Sequence, residues 1–110
     1  MSNKVKISFV LPEGLQQDLR ARIVLDGYSL KGKSKWVAEA IEQLFQLDDF
    51  MDLVKVNDVM QGFEKFESVL VDRHLKAQLN ACVIKVRTRY PELDGVQSRI
   101  MRTAILQRLI

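Results

Sequence analysis

The sequence predicts a mainly α domain with one short two-stranded antiparallel ribbon, on three observations. Residues 5–11, Val-Lys-Ile-Ser-Phe-Val-Leu, alternate apolar and polar as far as Val10 and are rich in β-branched and aromatic residues, which is the period of a strand. Two stretches of helical spacing follow. The same order, strand then helix then helix, returns between residues 64 and 110.

Pro12 ends the first strand, and proline at a first helical position is pre-organised for a helix. Leu15, Leu19 and Ile23 with Val24 then recur at helical spacing, and Gly27 marks the stop. Residues 29–33 hold Gly32 and read as a turn. Ser34 is the expected N-cap of a second helix with apolar positions Val37, Ala40, Ile41, Leu44 and Phe45. In the second copy, residues 66–71 form the strand and Asp72 is the expected N-cap. Leu75, Leu79, Val83 and Ile84 form the next stripe, and residues 90–95, with Pro91 and Gly95, break it. Ser98 is expected to cap a last helix carrying Met101, Ile105 and Leu109.

Placing Leu15 on Leu75 aligns Ser8 with Ser68, Leu19 with Leu79, Ala21 with Ala81, and Ile23-Val24 with Val83-Ile84. Four extra residues in the second turn bring Ser34 onto Ser98, Ala40-Ile41 onto Ala104-Ile105, and Gln43 onto Gln107. The chain therefore divides into a first copy (residues 4–46), a connector (47–63) and a second copy (64–110) within one domain spanning 1–110. The connector mixes Asp with Phe50, Met51, Leu53, Val54, Val56, Val59 and Met60. A flexible linker is less apolar and richer in Gly and Ser, so the connector is expected to be ordered, partly helical and packed on the copies.

Composition excludes several classes. An apolar content of 47% is that of an ordinary globular chain. No apolar run approaches the roughly 18 residues of a membrane span, and Met1-Ser2-Asn3-Lys4 lacks a signal-peptide core. Cys82 is the single cysteine and His74 the single histidine, so neither a disulfide framework nor a zinc site is expected, and no cofactor is. The chain has no Gly-rich phosphate loop, no paired carboxylates at a recognisable spacing and no Ser-His or Cys-His arrangement, so it does not read as an enzyme. A cytoplasmic protein follows. The net charge is +3. Basic residues outnumber acidic ones seven to five in residues 1–46 and nine to five in 64–110, whereas acidic residues lead four to one in 47–63. Two basic segments attract polyanions but also suit a solvated surface.

A lone strand needs a partner. An antiparallel pair of such strands with four helices beneath satisfies both copies. Each copy resembles the ribbon-helix-helix fold of the MetJ/Arc repressor class. The resemblance rests on Lys6-Ile7-Ser8-Phe9-Val10-Leu11-Pro12, a strand running into Pro, and on Lys33-Ser34-Lys35 at the start of the second helix. With both copies in one chain, the protein resembles tandem members among the prokaryotic relaxosome accessory proteins of plasmid conjugation. The resemblance implies a pseudo-dimer whose ribbon enters the DNA major groove. An alternative pairs the first copy between two chains and leaves 47–110 as a helical appendage. Solution mass separates the two, since the tandem form is a monomer, with side-by-side assembly on DNA still open to it.

By that resemblance the outward residues Lys6, Ser8 and Val10, with Phe66, Ser68 and Leu70, meet base edges. Lysine donates to guanine, serine donates or accepts, and apolar groups touch thymine methyls. The chain departs from the family pattern at Val10, Phe66 and Leu70, where typical members are more polar. Phe66 and Leu70 either meet DNA or pack on the core or connector. Helix N-termini suit phosphates, which selects Lys31, Lys33, Ser34 and Lys35 at one helix and Gln97, Ser98 and Arg99 at the other. Trp36 is expected to pack between the copies, Arg87 and Arg89 to form a solvated face, His74 to lie on the surface and Cys82 to be a packed thiol. The leading expectation is a double-stranded DNA binder acting in transcription or in conjugation and plasmid maintenance. The other is an antitoxin-like or adaptor module that binds a protein through the apolar ribbon and connector.

Overall fold

The computed structural model describes residues 4–29, 31–57 and 62–110. Asp58, Val59, Met60 and Gln61 of the connector, Leu30 of the first turn and residues 1–3 lie outside the described residues. Strand β1 (Lys4–Pro12) puts Ile7, Phe9 and Leu11 in the core and leaves Lys4 and Lys6 exposed and Ser8 and Val10 half-buried. This is the alternation that a strand imposes on successive side chains. Pro12 is the last strand residue and stands at the N-cap position, so helix α1 (Glu13–Leu25) begins one residue later than expected. Its end is a complete Schellman motif. Tyr28 N–H donates to Ile23 C=O (3.0 Å) and Gly27 N–H to Val24 C=O (3.0 Å), with Gly27 at φ 84°, a conformation that glycine adopts without a Cβ clash.

Helix α2 (Lys33–Phe45) and helix α3 (Phe50–Val56), which occupies the connector, complete the first half. Strand β2 (Glu64–Asp72), helix α4 (Arg73–Arg89) and helix α5 (Val96–Leu109) make the second. Among the described residues this gives five helices and one two-stranded sheet. Asp72 caps α4 as its side chain accepts from Leu75 N–H at 2.7 Å, so the expected cap is the observed one.

The strands pair antiparallel, with Ser8 opposite Ser68 at the middle and Lys4 opposite Asp72 and Pro12 opposite Glu64 at the ends. The inner face of this ribbon lies on a single core. Trp36, Val37, Ala40, Ile41 and Leu44 of α2 meet a helix that buries Ile100, Met101, Ala104 and Ile105. Full burial of each large aliphatic side chain stabilises by about 1.5–3 kcal/mol, so the α2–α5 seam is the main hydrophobic contact between the halves. Trp36 lies there, as expected. Arg108 donates to its carbonyl at 2.7 Å and stands 4.5 Å from its ring centroid. A radius of gyration of 13.3 Å matches one domain of this size, for which about 13 Å is expected.

The helical stripes differ from expectation at one matched pair. Val24 and Ile84 are exposed, and α4 buries Leu75, Leu79, Cys82 and Val86 instead. Positions spaced 4, 3 and 4 stay on one helical face, whereas the residue after Val83 turns a further 100° or so toward solvent. Val54 of α3 is fully buried, and α3 packs on α5.

Candidate nucleic-acid interface

The outer face of the ribbon carries Lys6 beside Leu70, Ser8 beside Ser68, and Val10 beside Phe66. The alternative that Phe66 and Leu70 pack on the core or connector is overturned, because they are 67% and 52% exposed. The reason is register. With Val69 and Val71 inward, Phe66, Ser68 and Leu70 must point outward. The six residues expected to act together therefore share one face.

Ser34 and Ser98 are not N-caps. Helix α2 starts at Lys33 after Gly32, and α5 starts at Val96 after Gly95, without side-chain caps. The two serines lie in the first turns and reach the ribbon. Ser34 Oγ accepts from Leu70 N–H at 2.9 Å, and Ser98 Oγ accepts from Val10 N–H at 3.1 Å. A two-stranded sheet leaves both outer edges with unpaired amides, and each serine satisfies one of them. A hydroxyl accepts and donates at once, so each serine keeps a proton to offer outward. Gly32 permits the α1–α2 approach, since a Cβ there would stand 2.6 Å from Tyr28 Cβ.

The structure brings each serine to one edge of the ribbon, but their surroundings differ. Lys31, Ser34 and Lys35 line an open cleft of about 560 Å³ with Lys4 and Leu70, and the carboxylates Glu39, Glu42 and Asp72 line it too. Lys33 points the other way, its Nζ donating to Glu67 Oε1 at 2.8 Å. Glu67 occupies the inward position matched by Ile7 and is only 5% exposed. Gln16 Nε2 donates to its Oε2 at 3.2 Å, and Arg20 lies 3.6 Å away. Burial pushes this carboxyl up, but Lys33, Gln16 and Arg20 together outweigh it and hold Glu67 below the usual carboxylate range. Sequence reasoning missed this group. The Glu between Phe66 and Ser68 was its only local signal.

At the other helix start, Asp94 precedes Gly95 and Val96. Gln97 Nε2 donates to Ser8 C=O at 2.9 Å, and its amide oxygen accepts from Lys76 at 3.2 Å. Arg99 turns to α3, where it donates to Val54 C=O at 2.8 Å and Lys55 C=O at 2.6 Å. A cation on the last carbonyls of a helix is well placed, and this contact anchors the connector. Arg102, which has no counterpart at the matching Ala38, donates from NH1 to Val10 C=O at 3.0 Å.

Away from the ribbon, His74 and Arg87 are exposed and Arg89 pairs with Asp52 at 3.4 Å. Cys82 is packed, and burial pushes its thiol up from its ordinary value. Tyr90 donates to Asp52, which joins the connector to the end of α4. Among the described residues no group of three His, Cys, Asp or Glu side chains is placed to hold a metal, and no helix is long and apolar enough to cross a membrane. Comparison with protein-family models, with curated proteins and with solved structures finds no match for this chain.

Proposed function

We propose that the chain is a double-stranded DNA-binding protein, built as two ribbon-helix-helix repeats that pair into a pseudo-dimer within one polypeptide. The ribbon enters the major groove, and the starts of α2 and α5 sit on backbone phosphates. The observation that carries this reading is the placement of Ser34 and Ser98. Two helix starts, each with unpaired N–H groups, are held against opposite edges of one ribbon by matched bonds to Leu70 and Val10. The exposed ribbon face between them presents Lys6, Ser8 and Ser68, and Lys31 and Lys35 add charge beside α2. Phosphate contacts of this kind set affinity and register, and ribbon side chains distinguish sequences. A role in transcription control or in conjugation and plasmid maintenance follows from the resemblance.

A fluorescence-anisotropy titration of generic duplex DNA at 50 and 200 mM salt tests it. About six phosphate contacts cost on the order of a thousandfold in affinity between those conditions. A loss of that size supports the reading, and no binding at 50 mM overturns it. The exposed Phe66 and Leu70 favour, as the second reading, a module that binds a protein through the ribbon.

A further inference from the structure

The two ends of the ribbon's outer face differ in chemistry. At one end Lys4 lies opposite Asp72 and Lys6 opposite Leu70, next to the lysines of the α2 cleft. At the other, Val10 lies opposite Phe66 and Pro12 opposite Glu64, with no cation among these four. Ser8 and Ser68 mark the centre. A ribbon with equivalent ends would fit a duplex equally well in either direction, whereas this one presents different chemistry to the two halves of its site.

We infer that the ribbon reads an asymmetric duplex in one orientation, with Lys6 on guanine and the Val10–Phe66 pair on the C5-methyl groups of thymine. This rests on the DNA-binding reading above. Phe66 is two-thirds exposed and held outward by the register, because the residue after it, Glu67, and then Val69 and Val71 along the strand are buried. In the major groove only the thymine methyl offers a base-specific apolar surface. The lysines on the same face favour a polyanion as the occupant over an apolar protein surface. At the apolar end, apolar contact with methyl groups is the base discrimination that Val10 and Phe66 can supply. Leu70, across from Lys6, adds one such contact at the basic end.

The test selects preferred duplexes from a random 20-base-pair library and compares each with a copy in which every thymine is replaced by deoxyuridine, deleting only the methyl. The expected site is non-palindromic, with guanine toward one end and most of the contacted thymines toward the other. Deoxyuridine weakens binding roughly fourfold for each methyl lost from an apolar contact. Phe66→Ala weakens binding to the thymine duplex and lowers the thymine-to-deoxyuridine ratio by roughly fourfold for each methyl that Phe66 touches. The contacts of Val10 and Leu70 keep the rest, and Lys6→Ala leaves that ratio unchanged. A palindromic site, or a ratio of one for the unmodified protein, overturns the inference while leaving DNA binding intact. A ratio undiminished in Phe66→Ala overturns the assignment to this residue. Failure to recover any duplex overturns the functional reading beneath it.

Discussion

The two strand–helix–helix halves share a backbone plan and differ where their side chains meet the ribbon. The inward position of β1 at Ile7 is fully buried hydrocarbon, and the matching position of β2 is Glu67, buried among Lys33, Gln16 and Arg20. The edge of β1 is bound to α5 through Ser98, Gln97 and Arg102, whereas the bond from α2 to the edge of β2 comes from Ser34. Lys31 and Lys35 flank the start of α2, in a cleft that Glu39, Glu42 and Asp72 also line, but Asp94 precedes α5 and Arg99 is drawn to α3. The difference teaches that the two halves share an element order and a serine bond to a strand amide, while the side chains around those bonds differ in charge.

The largest effect is expected from copying the second half into the first. Ile7→Glu places a carboxylate in the core opposite Val69 without the partners that Glu67 has. An uncompensated buried charge costs about 3–5 kcal/mol, a large share of the total stability of a domain this size. Urea denaturation measures it. A loss below about 1 kcal/mol would mean that Glu67 does not depend on its partners.

Next, Lys33→Met removes the closest partner of Glu67 and is expected to cost about 2–3 kcal/mol. Adding Glu67→Leu to it restores most of that loss, because a packed hydrocarbon replaces a buried pair at little cost. The pH dependence has a fixed sign. Glu67 titrates below its ordinary value of 4.5 when folded. Its contribution is therefore complete above that value and disappears as pH falls through the folded pKa. Thermal denaturation against pH should show the acid limb shallower in Glu67→Leu, with the remainder set in part by Glu39. That carboxyl is held low by Tyr28 and Arg108 against its own desolvation.

The helix starts sharpen the comparison through DNA. Lys35→Glu is expected to weaken duplex binding about tenfold and to lower the salt slope by roughly one, the loss of a phosphate contact. Asp94→Lys, which makes the start of α5 more like that of α2, is expected to tighten binding about threefold by favouring phosphate there. Anisotropy titrations on one duplex compare them. If neither variant changes affinity, the helix starts are not the anchors.

The smallest effect tests what the halves share. Ser34→Ala and Ser98→Ala each leave one strand amide unpaired and should cost about 1 kcal/mol apiece, equal within about 0.5 kcal/mol. A markedly greater cost at Ser98 would mean that the more heavily bonded β1 edge depends on that hydroxyl for its other contacts.

Much of the fold was legible because it depends on near neighbours. The period-two pattern of residues 5–11 locates a strand, Gly27 follows the end of α1, and Asp72 begins α4 through a bond to a residue three positions away. The candidate site was legible as a set of positions but not as a set of contacts. Ser34 and Ser98 carry the pattern of N-caps, yet their acceptors serve amides 36 and 88 residues distant. Arg99 reads as a cation at a helix start, and its partners lie in the connector 45 and 44 residues before it.

By itself, then, the sequence determined where strands and helices form, that the same order occurs twice, and which strand residues alternate from face to face. Those properties follow from local backbone preference and side-chain periodicity. Only the tertiary structure decided that β1 pairs with β2 about Ser8 and Ser68, that Glu67 is buried, and that Phe66 and Leu70 are left in the open. Register and charge compensation join residues far apart in the chain, and their energies exist only once packing has brought those residues together.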